Sequence, residues 1–81
     1  MIFIRNALEA SDNAGPVTIR VFDLSGRLVR VILDSPFQSA GPHETNWNAE
    51  DDSGRSVSMG VYFVKLDTAA GSRVQRVTIL R

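Results

Sequence analysis

The densest group of chemistry-bearing side chains is Glu50, Asp51 and Asp52, inside "NAEDDSGRS" at residues 48–56. Three adjacent carboxylates suggest calcium, which is held by clustered oxygen ligands. A helix-loop-helix calcium loop needs oxygens at its positions 1, 3 and 5, glycine at 6 and glutamate at 12. Counting from Asn46 puts Asp51 where the glycine belongs and Val57 where the glutamate belongs. Counting from Asn48 puts Ser53 and Met59 there. Both registers fail. Spacing leaves two readings, an irregular calcium site on Glu50, Asp51 and Asp52, or a solvated turn in which the same carboxylates bond their own backbone.

Hydrolytic chemistry finds little to work with. His43 is the single histidine, between Pro42 and Glu44. A serine–histidine–aspartate device needs a positioned nucleophile, and no strand-turn-helix serine motif occurs. Paired carboxylates for glycoside cleavage need a groove of a size that an 81-residue domain rarely provides. Zinc spacing and phosphate-cradling glycine loops are missing too. The expectation is a protein that is not an enzyme and carries no cofactor.

The elements that position these residues read as strands. In "PVTIRVFDLSGRLVRVIL", Val17, Ile19 and Val21 alternate with Thr18, Arg20 and Phe22, and β-branched residues dominate. The run resumes after "DLSG" with Val29, Val31 and Leu33 expected on one face, making a hairpin in which Gly26 takes positive φ. Asp34 to His43, with Pro36, Gly41 and Pro42, reads as a surface connection. "ETNWN", "VYFVKLD" and "RVQRVTIL" follow, the last two joined by "TAAG". With "IFIRNAL" in front, this makes about six strands and a seventh near Val57, hence an all-β antiparallel sandwich forming one domain over residues 1–81.

One pattern occurs twice. Asp23 to Val29 and Asp51 to Val57 share D-x-S-G-R-x-V, 28 residues apart. That is too isolated for a repeat array. It predicts one turn chemistry used at two places, with Gly26 and Gly54 in equivalent roles.

Trp47, between Asn46 and Asn48, is expected to point inward and be the largest core side chain, with Tyr62 beside it. Phe22 and Phe63 fall on the opposite faces of their strands from Val17/Ile19/Val21 and Tyr62/Val64/Leu66. Two outward phenylalanines would form a small apolar patch that either meets a protein partner or is covered by loops or a neighbouring domain.

Nine basic and nine acidic residues cancel, and the cations are scattered, which argues against a phosphate-reading nucleic-acid binder. No apolar run is long enough to span a bilayer, and Arg5 interrupts the apolar opening before a signal peptide could develop. Cysteine is missing, so no disulfide assists the fold.

The ordered succession of these pieces resembles a known family. It comprises V-x-D-x-x-G-R-x-V (Val21, Asp23, Gly26, Arg27, Val29), A-G-x-H (Ala40, Gly41, His43), Trp47 with its Asp/Gly turn, G-V-Y-F (Gly60, Val61, Tyr62, Phe63), and a closing strand ending at Arg81. Over about residues 4–81 the chain resembles the immunoglobulin-like domain of flagellar hook-capping proteins and the related C-terminal sorting domains of type IX secretion substrates. The resemblance implies an immunoglobulin-like β-sandwich in which Gly60 is a backbone requirement ahead of Tyr62. It implies an extracytoplasmic bacterial setting (periplasm, cell surface or secreted) and a parent protein or protein partner. The expected role is attachment, assembly or secretion sorting at a cell envelope. The alternatives are a calcium- or glycan-binding module and a small accessory subunit of a larger envelope complex.

Overall fold

The structure is a computed structural model that describes residues 2–8, 15–38, 41–69 and 71–80, with side chains over 15–37, 45–69 and 71–80. Six antiparallel strands run in the order β1 (Ile2–Leu8), β2 (Gly15–Asp23), β3 (Leu28–Gln38), β4 (Gly41–Trp47), β5 (Gly60–Thr68) and β6 (Gly71–Ile79). They form a two-stranded sheet, β1-β4, and a four-stranded sheet in the order β3-β2-β5-β6. The expected all-β antiparallel class is what the chain adopts. Among the described residues no helix is long and apolar enough to cross a membrane.

Period-2 alternation builds the core. Val17, Ile19 and Val21 of β2 are essentially inaccessible, and β5 presents Tyr62 and Val64 to the same side. Register sets Val21 opposite Val64, Ile19 opposite Leu66, and Tyr62 opposite Val77. Trp47, at the end of β4, is 1% exposed and meets Tyr62 edge-on, with ring centroids 5.7 Å apart and planes at 67°. Its own sheet thereby joins the larger one in a single cluster that also takes in Val57 and Ile79.

The chain departs from simple alternation in three places. First, β3 does not present Val29, Val31 and Leu33 together. Register shifts against β2 fall between Ile19 and Arg20 and between Val21 and Phe22, so Val29 and Ile32 are the extra residues of two bulges. Val29, Ile32 and Leu33 consequently pack against the core, while Val31 does not. Second, the expected surface connection from Asp34 to His43 is largely strand, because β3 continues to Gln38 and β4 begins at Gly41. Pro36 is accommodated because β3 is an edge strand and the ladder skips between Val17–Ser35 and Gly15–Gln38. Third, the seventh strand near Val57 reduces to one bridge, Glu50 with Ser56. Val57 is nonetheless buried. Ala40 and Arg81, named in the resemblance, lie outside the described residues.

Trp47→Ala removes the largest buried side chain, a change that costs about 3–5 kcal/mol, comparable with the whole stability of so small a domain. Urea titration followed by circular dichroism should show the variant largely unfolded without denaturant. Trp47→Phe should keep a cooperative transition at a lower midpoint.

Candidate functional site: paired turns and the outer sheet face

The two D-x-S-G-R segments adopt the same turn. In the first, the Gly26 amide donates to the Asp23 carbonyl (3.0 Å) and the Asp23 amide to the Arg27 carbonyl (2.9 Å). The Arg27 amide donates to Asp23 Oδ1 (2.9 Å). In the second, Gly54 donates to the Asp51 carbonyl (3.0 Å) and Asp51 to the Arg55 carbonyl (2.9 Å). The Arg55 amide donates to Asp51 Oδ1 (3.0 Å). Gly26 and Gly54 sit at φ 86° and 83°, the left-handed region that costs an L-residue about 1–2 kcal/mol. A Cβ at either glycine would meet open space, so the requirement is purely conformational. Gly60 also has positive φ, 153°.

What surrounds the turns differs. The first closes the β2–β3 hairpin, and Arg27 Nε reaches back to Asp23 Oδ2 at 3.3 Å. The second lies in the connection from β4 to β5 and docks sideways on β3. The Asp52 amide donates to the Val29 carbonyl (3.0 Å), and the Val31 amide donates to Asp52 Oδ1 (3.0 Å). Arg30 Nη1 donates to the Asp51 carbonyl at 2.8 Å. Asp52 thus satisfies backbone groups of β3 that β2 does not use, and Asp51 accepts from the Arg30 side chain of the same strand. Between the turns lies an open groove of about 570 Å³, lined by Asp23, Arg27, Asp52, Ser53, Ser58 and Tyr62 among others.

Trp47 sets where this loop starts. Its indole N–H donates to the Glu50 carbonyl at 2.9 Å, which folds the chain back within three residues. Ala49 takes φ 59° to permit the reversal, and its carbonyl accepts from the Val57 amide (2.9 Å). Sequence reasoning missed Ala49, since alanine carries no signal for a left-handed position. Tyr62 completes the enclosure by donating to the Ser58 carbonyl at 2.7 Å.

The three carboxylates singled out for calcium have separate partners. Glu50 Oε1 accepts from Asn48 Nδ2 (2.8 Å), and Asp51 Oδ1 from the Ser53 amide and hydroxyl and the Arg55 amide. Asp52 faces β3. No group of three or more His, Cys, Asp or Glu able to hold a metal occurs among the described residues. His43 lies in β4, opposite Asn6, and its side chain is outside the described residues.

The Ser53 hydroxyl and then the Arg55 amide hold the Asp51 carboxyl below its ordinary value. The Arg27 amide does the same for Asp23. Asp67 is lowered by the Ser72 hydroxyl and then by Arg20, which it meets at 2.7 Å.

Phe22 and Phe63 lie opposite each other in the β2–β5 ladder and are both half-buried. Facing residues in an antiparallel pair share a side, so both rings stand on the face away from the core. The same row continues to Leu28 on β3, half exposed, and to Arg76 on β6. The Arg20 guanidinium lies 5.7 Å from the Phe22 ring centroid, a cation–π contact. Arg20 Nε, buried, has no hydrogen-bond partner among the described residues. The row is therefore an apolar strip flanked by cations.

Comparison with known proteins follows the fold. The sequence profile of the FlgD Ig-like domain matches residues 5–77. No curated protein shows a significant match. Among solved structures, FLGD from P. aeruginosa superposes with a TM-score of 0.65 at 21% identity, covering 95% of this chain and 59% of that one. PorZ, an essential bacterial surface component of the type-IX secretion system of Porphyromonas gingivalis, gives 0.59 at 22% identity, covering 99% and 11%. The chain therefore spans well under two thirds of either structure.

Depressed carboxyl pKa values make stability pH-dependent in one direction. The contribution of Asp23, Asp51 and Asp67 is fully present above their ordinary value of 3.8 and lost as pH falls through the lower folded values. Urea midpoints should be flat above that value and fall below it. Asp51→Asn, which keeps an acceptor oxygen but cannot titrate, should shrink the acid-side fall, whereas Asp51→Ala should lower the midpoint at every pH. For the calcium alternative, millimolar calcium should leave the melting temperature unchanged. A cation held at 100 times its dissociation constant would add about 2.7 kcal/mol and raise it by many degrees.

Proposed function

Because the chain belongs to the FlgD Ig-like domain family, we propose that it is a non-enzymatic attachment and assembly module of a bacterial cell envelope. It works through protein–protein contacts made by the outer face around Phe22 and Phe63. The observation that carries this reading is the placement of the two rings. The core closes on Trp47, Tyr62 and the β2 valines and isoleucine without them, yet they form a paired apolar strip on a polar face. A strip of that kind matches the interface pattern of aromatic anchors ringed by arginine.

Two further observations support the setting. The superposed structures are parts of larger proteins, consistent with a module that serves a parent or assembly. One of them is a bacterial surface component, which supports an extracytoplasmic location.

The test is Phe22→Ser combined with Phe63→Ser, introduced into the protein in its own cells. The melting transition should remain cooperative, while association with the envelope fraction, read by sedimentation, should fall roughly thirtyfold or more, as expected for a hot spot worth about 2 kcal/mol. Unchanged association, or outright unfolding, would remove the outer face as the contact surface.

A further inference from the structure

The two edges of the four-stranded sheet are treated differently. On β3, the Asp52 amide and carboxylate occupy the Val29 carbonyl and the Val31 amide. On β6, β5 is the one strand paired among the described residues, over nine residues from Gly71 to Ile79. An antiparallel ladder turns the backbone groups of alternate residues away from its partner. The two-residue turn between Thr68 and Gly71 closes on a hydrogen-bonded pair, so the outward set comprises Ser72, Val74, Arg76 and Thr78. Proteins usually blunt such an edge with charged side chains, a bulge, a proline or a covering loop, and β6 uses the first of these, Arg73 and Arg76. β6 has neither bulge nor proline.

We propose that the outward edge of β6 is a strand-addition site for an extended, acid-bearing segment of a partner protein. This rests on the protein-contact reading above and adds the chemistry of the contact. Charge selects the occupant. The described stretch 71–80 contains Arg73 and Arg76 and no acidic residue, and both arginines are exposed. On the outer face Lys65 stands opposite Val74 and meets Asp67 at 3.9 Å, while Arg76 stands opposite Phe63, so the cation beside the middle of the edge is Arg76. A second copy pairing edge to edge would bring two guanidinium groups together on each face of the joined sheet. Arg76 stands on the outer face and Arg73, opposite Leu66, on the other, so a strand with glutamate or aspartate at alternate positions places its acids beside one of them, Arg76 when they face outward. Val74, 62% exposed, offers an apolar contact at the middle of the edge.

The experiment uses the 81-residue chain and two capped nine-residue peptides, one alternating threonine with glutamate, the other threonine with lysine. Amide NMR titration at low salt should show shifts confined to residues 72–78 and slower exchange of the Val74 and Arg76 amides. The glutamate peptide should bind at least about tenfold more tightly than the lysine peptide. Val74→Pro removes one outward N–H without touching the β5 ladder and should abolish binding while the melt persists. Should that variant unfold, Arg73→Glu with Arg76→Glu decides, by reversing the peptide preference. Equal binding of both peptides, no binding, shifts centred on Phe22 and Phe63, or a dimer that Val74→Pro dissolves would each overturn the proposal. Phe22→Ser with Phe63→Ser should leave peptide binding intact, so the two surfaces fail or stand independently.

Discussion

One hydrogen bond organises much of the molecule, the donation from the Trp47 indole to the Glu50 carbonyl. A buried indole N–H must find an acceptor, and the Glu50 carbonyl supplies it. The chain meets the need by doubling back just after β4, with Ala49 in a conformation alanine rarely takes. That reversal delivers Asp51 to its turn and Asp52 to the side of β3. The aromatic that fills the core thus also fixes the loop that covers the sheet.

The strands and their hairpins were legible because alternation survives where one face is buried and the other is wet. Val17, Ile19 and Val21 against Thr18, Arg20 and Phe22 is such a case, as is the β5–β6 pair about its short turn. The duplicated D-x-S-G-R pattern was readable as turn chemistry, since an aspartate bonding its own downstream amides is local physics that needs no tertiary partner. The β3 bulges were not readable. Each inserts a residue whose identity, Val29 or Ile32, looks like ordinary strand sequence, and only pairing with β2 shows the slip. The strand character of Asp34–Gln38 was hidden for a related reason, because prolines that punctuate loops are also admitted at a sheet edge.

At the candidate site, residue types were easier to foresee than relations between them. Outward phenylalanines follow from strand parity, as does a guanidinium two residues before Phe22, but the direct pairing of the two rings depends on register between strands that lie far apart in the chain. The acidic run illustrates the converse. Its carboxylates look like ligands when read along the chain, yet each is turned toward a different donor once the loop is docked, so adjacency in sequence did not become convergence in space.

The docking of Asp52 on β3 carries a consequence for polymerisation. Head-to-tail growth of a fibre through this sheet requires two complementary open margins on every subunit, one to donate and one to accept. Here the margin of β3 is already occupied at Val29 and Val31, from within the chain, by an amide and a carboxylate. A neighbouring strand cannot continue the ladder through those two residues. The loop that seats Asp52 thus acts as a built-in stopper on one side of the sheet, leaving extension of the ladder to the opposite side.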